Sequence, residues 1–307
     1  VAFALGDEEG RVLARSRRPT EPSGDASADL ERLVADGRSL LAQAGLAPDA
    51  LRGVGISLPG PLDADTGVVH SPPNLPGWTD VQVRGPLEAA FGCPAALDND
   101  ANAAALAEWR YGAGRGFRHL VYLTMSTGVG GGLVLGGRVY RGVHCGAGEI
   151  GHVPVEWEGE RCSCGLRGCL EAYVGGAAWT RRLARITPET SRAAQEAGGA
   201  AHVRPEHLLE AARAGDGFAR EELARWVEYL ARGLVQVVFT LAPEAVVLGT
   251  IASAAGEELC FAPLRRRVKA CTWPHLFGDL RIVPAALGEE LPYLAGLSVA
   301  LEGSSAS

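Results

Sequence analysis

The chain has 307 residues, more than one small hydrophobic core usually holds, so two packed lobes are expected. Hydrophobic residues at 47% and charged residues at 21% exclude a disordered chain, and the net charge of −7 disfavours nucleic acid as the main partner. Lys269 is the only lysine, so no Gly-Lys-Ser/Thr phosphate loop can be written.

Glycine, at 41 residues, is nearly double its usual share of about 7%, which points to tight turns and backbone-lined binding loops. The apolar run over 230–247 is broken by Arg232, Gln236, Pro243 and Glu244, so no membrane span or membrane partner is expected. The cysteines are Cys93, Cys145, Cys162, Cys164, Cys169, Cys260 and Cys271. An odd number with three inside one short loop favours a metal site in a reducing compartment over a disulfide framework, hence a cytoplasmic location.

In chain order, residues 1–5 and 11–14 read as strands about the turn Gly6-Asp-Glu-Glu-Gly10. Residues 26–45 carry apolar positions at Leu30, Leu33, Val34, Leu40 and Leu41 and end on Gly45, a helix with a glycine stop. Residues 51–58 form a short buried strand running into Pro59-Gly-Pro61, and 70–78 form a Pro- and Gly-rich loop. A strand over 95–99 leads into an Ala-rich helix over 102–111. Gly112-Ala-Gly-Arg-Gly116 is the expected linker. Beyond it come a strand at 119–125, a glycine turn at 126–132 and a strand at 133–140 with a hairpin about Gly136-Gly137. A cysteine-rich loop follows, then helices over 175–186, 205–214 and 217–241, with 188–204 read as loop. The strand 245–248 ends in Gly249; a helix, a strand at 280–283 and a closing helix from Pro292 complete an α/β pattern.

Three clusters carry chemistry. His152, Cys162, Cys164 and Cys169 form a His plus three-thiolate set, with Gly165 and Gly168 letting the loop fold back. That set closes a tetrahedral Zn²⁺ site with no open position, so the metal is read as structural. Ser126-Thr-Gly-Val-Gly-Gly-Gly132 lies between two strands, where it is either a phosphate-approaching loop or an ordinary glycine hairpin. Asp98-Asn-Asp-Ala-Asn102 lies at a strand-to-helix junction. There an acidic or amide side chain is either a helix cap or, for Asp100, a base at the strand's end.

With Ser57-Leu-Pro-Gly-Pro61, Ser71-Pro-Pro-Asn-Leu-Pro-Gly-Trp78, Gly148-Glu-Ile-Gly-His152 and Cys162-Ser-Cys-Gly-Leu-Arg-Gly-Cys-Leu-Glu171, these clusters make a sequence that resembles the ROK family of sugar kinases and repressors from Gly53 onward. The resemblance implies an actin-like ATPase (ribonuclease H-like) α/β fold with two lobes and a cleft between them. Lobe one is expected over 1–116, completed by a C-terminal helix at about 292–303; lobe two, with the zinc loop, over 117–291. It makes Asp100 the catalytic base and gives Asn74, Asn99, Glu149, His152 and Glu171 to the sugar. By their residues alone, Asn74, Glu149 and Glu171 read equally as surface groups. It gives ATP, with Mg²⁺, to Ser126, Thr127, Gly128, Gly130, Gly131 and Gly249. A homodimer is implied.

Two departures accompany the resemblance. The family opens with a strand and an Asp-x-Gly-Gly-Thr phosphate loop, and Val1 begins in what resembles the strand after it, so a further segment before Val1 is expected. The family's Gly-Gly-Gly near the nucleotide is here Gly249-Thr250-Ile251. Family repressors open with a helix-turn-helix, whereas the sequence from Val1 reads as strand. The expectation is therefore an ATP-dependent hexose kinase, most directly a glucokinase acting on the 6-hydroxyl. Fructose, N-acetylglucosamine and N-acetylmannosamine stay open as substrates, as does a kinase-deficient sugar binder.

Overall fold

Residues 1–304 are described by a computed structural model, in which the chain divides into two units. The first takes Val1–Gly116, Val139–Ala147 and the chain from Ala286 onward; the second takes Phe117–Arg138 and Gly148–Ala285.

The first unit runs β1 (Ala2–Gly6), β2 (Val12–Arg17), α1 (Ala26–Gln43), β3 (Val54–Leu58), the short strands β4 (Leu62–Asp63), β5 (Val68–Val69) and β6 (Val81–Gln82), then α2 (Arg84–Phe91), β7 (Ala95–Asn99) and α3 (Asp100–Tyr111). Asp7 closes the β1–β2 hairpin: its Oδ1 accepts from the N–H groups of Glu9 and Arg11, and Gly10 supplies a φ of +79°. Asp25 caps α1 by accepting from Ser27 N and Ala28 N, and Gly45, at φ +68°, stops the chain just past its end. β3 and β7 pair in parallel from Val54↔Ala95 to Leu58↔Asn99. Leu30, Leu41, Leu58, Val69, Trp78 and Leu97 belong to the core beneath them.

The second unit holds β8 (Leu120–Met125), β9 (Val129–Leu135), the two-residue β10 (Arg138–Val139) at its margin, α4 (Glu171–Val174), α5 (Gly176–Ile186), α6 (Arg192–Ala197), α7 (Pro205–Arg213), α8 (Gly217–Leu241), β11 (Ala245–Thr250), α9 (Ile251–Gly256), a π-helical turn at Glu257–Phe261, α10 (Ala262–Cys271), α11 (Pro274–Phe277) and β12 (Arg281–Pro284). The chain then returns to the first unit as α12 (Leu291–Ser304), which packs on α3, β3 and β1. The second sheet has the order β10-β9-β8-β11-β12, with β11 parallel to both β8 and β12. Its core includes stacked Trp179 and Trp226, 5.5 Å apart, and the Trp179 indole N–H donates to buried Glu222.

Buried Glu108 of α3 secures the returning chain by accepting from the N–H groups of Ala113, Ala286 and Leu287.

Three elements differ from the sequence reading. The glycine turn is shorter than 126–132, because β9 begins at Val129 and pairs Met125↔Val129 through Leu120↔Val134. Gly130, Gly131 and Gly132 are strand residues: a Cβ on Gly131 would lie 2.4 Å from the Gly148 carbonyl oxygen, so two backbones approach where no side chain fits. The stretch 188–204 contains α6, capped by Ser191 and stopped by Gly198 at φ +73°. Its six residues are too few to reveal a helical period. Helix α2 has no counterpart in the sequence reading; its Leu87 and Phe91 are buried.

Candidate active site and metal centre

In the first unit the parallel pair β3–β7 delivers Asp98, Asn99 and Asp100 to the strand's carboxyl end, where α3 begins. Asn99 is the cap of α3: its Oδ1 accepts from Asn102 N at 2.7 Å, which leaves its amide nitrogen for other partners. Asp100 therefore occupies the first helical turn rather than the cap. Its side chain is reached by solvent but stands at the rim of a largely apolar cavity. Desolvation raises its pKa above the ordinary carboxylate value, against the pull of the Ala101 N–H and its own.

Asp98 is fully buried and holds the strand end in place. Arg141 donates to its Oδ2 from Nε at 2.9 Å and approaches it with Nη2 at 2.7 Å, while Asn102 Nδ2 donates to Oδ1 at 2.9 Å. Burial pushes the Asp98 carboxyl up, and Arg141 and Asn102 oppose that push. Sequence reasoning missed Arg141. The available signal was the inward alternation of Asp98 on β7, since a buried carboxylate needs a cation.

Asn74 is exposed on the loop between β5 and β6. That loop is fixed from beneath by buried Trp78, whose indole N–H donates to Asp29 at 3.1 Å and whose carbonyl accepts from Ser71 N. Burial would raise the Asp29 carboxyl, but the donors Trp78 and Ser23, with Arg32, hold it below the usual value.

In the second unit the turn Ser126-Thr-Gly128 is attached to the start of α5: Gly176 N donates to the Ser126 carbonyl and Ala177 N to the Thr127 carbonyl. Ser126 and Thr127 are exposed, Gly128 and Gly130 are half-buried, and Gly131 is buried in the ladder. Glu171 lies against this turn. Its Oε2 accepts from Val129 N at 2.9 Å, its Oε1 accepts from Ser163 Oγ at 2.7 Å, and a Cβ on Gly128 would meet its Oε2 at 2.4 Å. Gly249, the next-to-last residue of β11, lies beside Tyr122, and Thr250, the last, adopts φ +50° with its hydroxyl bonded to the Met125 carbonyl. A threonine in the left-handed region is strained, and such strain concentrates at functional positions.

The ligand atoms of His152, Cys162, Cys164 and Cys169 all lie within 4.8 Å of one another, a geometry able to hold a metal ion. Cys162 Sγ is 3.7 Å from His152 Nδ1, and Cys164 Sγ is 3.7 Å from Cys169 Sγ. Burial, and then the neighbouring thiols, push the Cys169 thiol up to about 12, a cost that a bound cation would reverse. His152 turns Nδ1 to the sulfurs and Nε2 toward Glu149, 3.9 Å away. Glu149 itself is exposed. The structure thus joins Asn99 with Asp100 in the first unit. In the second it joins Glu171 with the glycine turn and His152 with both the cysteines and Glu149.

The model of the ROK family matches residues 1–297. The glucokinase of Thermotoga maritima is 36% identical over 98% of this chain and 95% of its own length. Among solved structures, a ROK hexokinase from Thermus thermophilus is 33% identical with a TM-score of 0.82, over 100% of this chain and 99% of that one. A ROK family glucokinase from Streptomyces griseus, in complex with glucose and AMPPNP, is 30% identical with a TM-score of 0.78, over 98% and 95%. The match spans both units and takes in the strand end with Asp100, the glycine turn and the cysteine loop, and this chain belongs to the ROK family.

Proposed function

We propose that the chain is an ATP-dependent hexose kinase of the glucokinase type, transferring the γ-phosphoryl group of ATP to the 6-hydroxyl of glucose. The observation that carries this reading is Asp100. It is a carboxylate held at a strand end by a capped helix and a buried ion pair, and desolvation makes it more basic than a free aspartate. The sugar hydroxyl oxygen forms the new bond to the γ-phosphorus while the bond to the β,γ-bridging oxygen breaks. ADP leaves, and the hydroxyl proton passes to the Asp100 carboxylate.

We assign sugar contacts to Asn74 and Asn99 of the first unit and to Glu149, Glu171 and the outward Nε2 of His152 in the second. The nucleotide goes to Ser126, Thr127, Gly128, Gly130, Gly131 and Gly249. Among the nucleotide-loop residues, the exposed Ser126-Thr127 and half-buried Gly128 and Gly130 offer direct contact; buried Gly131 shapes the strand behind them. Mg²⁺, brought with ATP, neutralises phosphate charge.

Zinc suits the four-ligand cluster. Zn–S bonds of about 2.3 Å give tetrahedral S···S edges of about 3.8 Å, and the Cys164–Cys169 separation is 3.7 Å. With all four positions taken by protein, a bound ion would serve structure, and His152, Cys162, Cys164 and Cys169 would hold it so that the imidazole's other nitrogen stays facing Glu149. A homodimer in the cytoplasm accompanies this reading; no helix among the described residues is long and apolar enough to cross a membrane.

Coupled measurement of ADP release over glucose, fructose, mannose, N-acetylglucosamine and N-acetylmannosamine tests the assignment. Glucose is expected to give the highest kcat/KM, and ADP release that no sugar stimulates would overturn it.

A further inference from the structure

We propose that the cleft between α10 and the outer edge of β12 binds a small anion carrying two or three linked phosphate groups. The cleft has a volume of about 390 Å³ and lies wholly within the second unit, where β12 is the last strand of the sheet. Arg265, Arg266 and Lys269 of α10 line one side of it, and Arg281 of β12 lines the other. No carboxylate lines it, in a chain whose acids outnumber its lysines and arginines by 36 to 29.

The packing of α10 on the sheet edge gathers these cations. Leu264 and Val268 are the buried residues of the helix, so Arg265 and Lys269, each one position later, stand together one turn apart. Arg265 Nε donates to the Ile282 carbonyl at 2.8 Å, which ties helix to strand, and its Nη1 pairs with Glu257 at 2.6 Å. Glu228 is taken by Arg267, which lies outside the cleft, and by Arg232. Asp279, in the turn before β12, is exposed and does not line the cleft. Among the described residues, no ion pair reaches Arg266, Lys269 or Arg281.

Two ordinary roles leave the cluster unexplained. A cation in the last turn suits a helix C-terminus, which accounts for Lys269 alone. Charge on an edge strand blocks stray pairing, but Arg265 already covers the Ile282 carbonyl and Pro284 has no N–H to offer. Arg265 and Lys269 repel each other across one helical turn, and a bound anion relieves that repulsion.

Charge sets the class of ligand. A phosphate group carries about −1.5 to −2 at pH 7, so the unpaired Arg266, Lys269 and Arg281, with Arg265 beside them, match two or three groups rather than one. Arginine forks take phosphate oxygens in pairs, and the lysine adds a point charge. Two sources carry that chemistry: a free oligophosphate, and a nucleotide whose base rests on Phe277, which also lines the cleft. The place is separate from the residues assigned to ATP. Arg281 pairs with Ala245 at the start of β11, about 13 Å along the strand from Gly249.

Calorimetric titration with sodium pyrophosphate and tripolyphosphate, in buffer free of divalent cations, tests the proposal on the 307-residue chain and its variants. Lys269→Gln and Arg281→Gln should each weaken pyrophosphate binding by at least about tenfold, the loss that goes with one charge-assisted hydrogen bond. Arg267→Gln removes the same charge outside the cleft and should change it by less than about twofold. Orthophosphate should bind at least about tenfold more weakly than pyrophosphate. Amide exchange locates the anion: slowing is expected over 265–283. ADP affinity that falls in step with pyrophosphate makes a nucleotide the source, and unchanged ADP affinity makes it a free oligophosphate. The readout is binding, so it does not depend on whether the chain turns glucose over. Equal losses in Arg267→Gln and the cleft variants overturn the proposal, since the effect is then a diffuse field. So does orthophosphate that binds as tightly as pyrophosphate, and so does slowing confined to 126–131, which places the anion in the glycine turn.

Discussion

Arg141 and Asp98 form an ion pair with Nη2 2.7 Å from Oδ2, and the carboxylate end of that pair is fully buried. The pair fastens the segment around residue 141 to the end of β7, two residues before Asp100. Arg141→Ala leaves Asp98 with Asn102 and the Asn99 N–H as its remaining partners. A loss of about 3 kcal/mol is expected, toward the low end for a broken buried pair because the guanidinium is partly solvated. The sign with pH is defined. Losing the cation raises the folded-state pKa of Asp98 further, so the deficit grows as pH rises above the already raised wild-type value toward that of the variant. Urea unfolding of both proteins at pH 4 and pH 7 checks this; an equal deficit at both would show that Asp98 is not the group left uncompensated.

Asp100→Asn is expected to keep the fold, since Asn99 rather than Asp100 caps α3. Turnover should fall by about 10²–10⁴-fold with the KM for glucose changed only a few-fold, the pattern of a lost general base. Steady-state kinetics on the variant, with Tm as the fold control, separates this from a purely structural role. Near wild-type kcat would remove Asp100 from the chemistry.

The pH profile follows from the same residue. The base acts ionised, and desolvation raises its pKa, so the acid limb of kcat/KM should lie above the ordinary aspartate value of about 3.9. Activity falls as pH drops through that raised value. A profile flat down to pH 4 would contradict the assignment.

Purified protein should carry about one Zn²⁺ per chain. Cys164→Ser should release it and lower Tm, because the remaining three ligands no longer close the site. Elemental analysis of protein prepared without chelators, beside the variant, decides the point. Metal-free wild type would end the zinc reading.

Gly131→Ala tests the strand assignment of the glycine turn. Its Cβ would lie 2.4 Å from the Gly148 carbonyl oxygen, a backbone atom that cannot rotate away. Destabilisation of about 1–3 kcal/mol is expected, the usual cost of overpacking. Gly136→Ala serves as a contrast, since no atom lies within 4 Å of its Cβ position and strain at φ +62° is its only penalty. Chemical denaturation of the two variants ranks them, and an unaffected Gly131→Ala would mean that the Gly148 backbone does not approach β9 as described.

The features legible in the sequence are those whose partners lie close along the chain. The cysteine loop could be read because three ligands fall within 162–169 and the glycines that bend it lie between them. The first hairpin and α1 were equally plain, since Asp7, Gly10, Asp25 and Gly45 act on neighbours only a few residues away. What the tertiary structure decided depends on distant partners. Arg141 neutralises Asp98 across 43 residues of chain, and Glu171 reaches the Val129 N–H across 42. The glycines of β9 read as a loop because nothing in their own sequence announces Gly148, whose backbone takes the space a side chain would need. Asn99 and Asp100 are adjacent and chemically similar, yet one caps a helix and the other stands at the rim of a cavity. Local spacing selects which side chains can bond a neighbouring backbone group; burial and charge compensation, which set the basicity of Asp100 and the partner of Asp98, are properties of the packed chain.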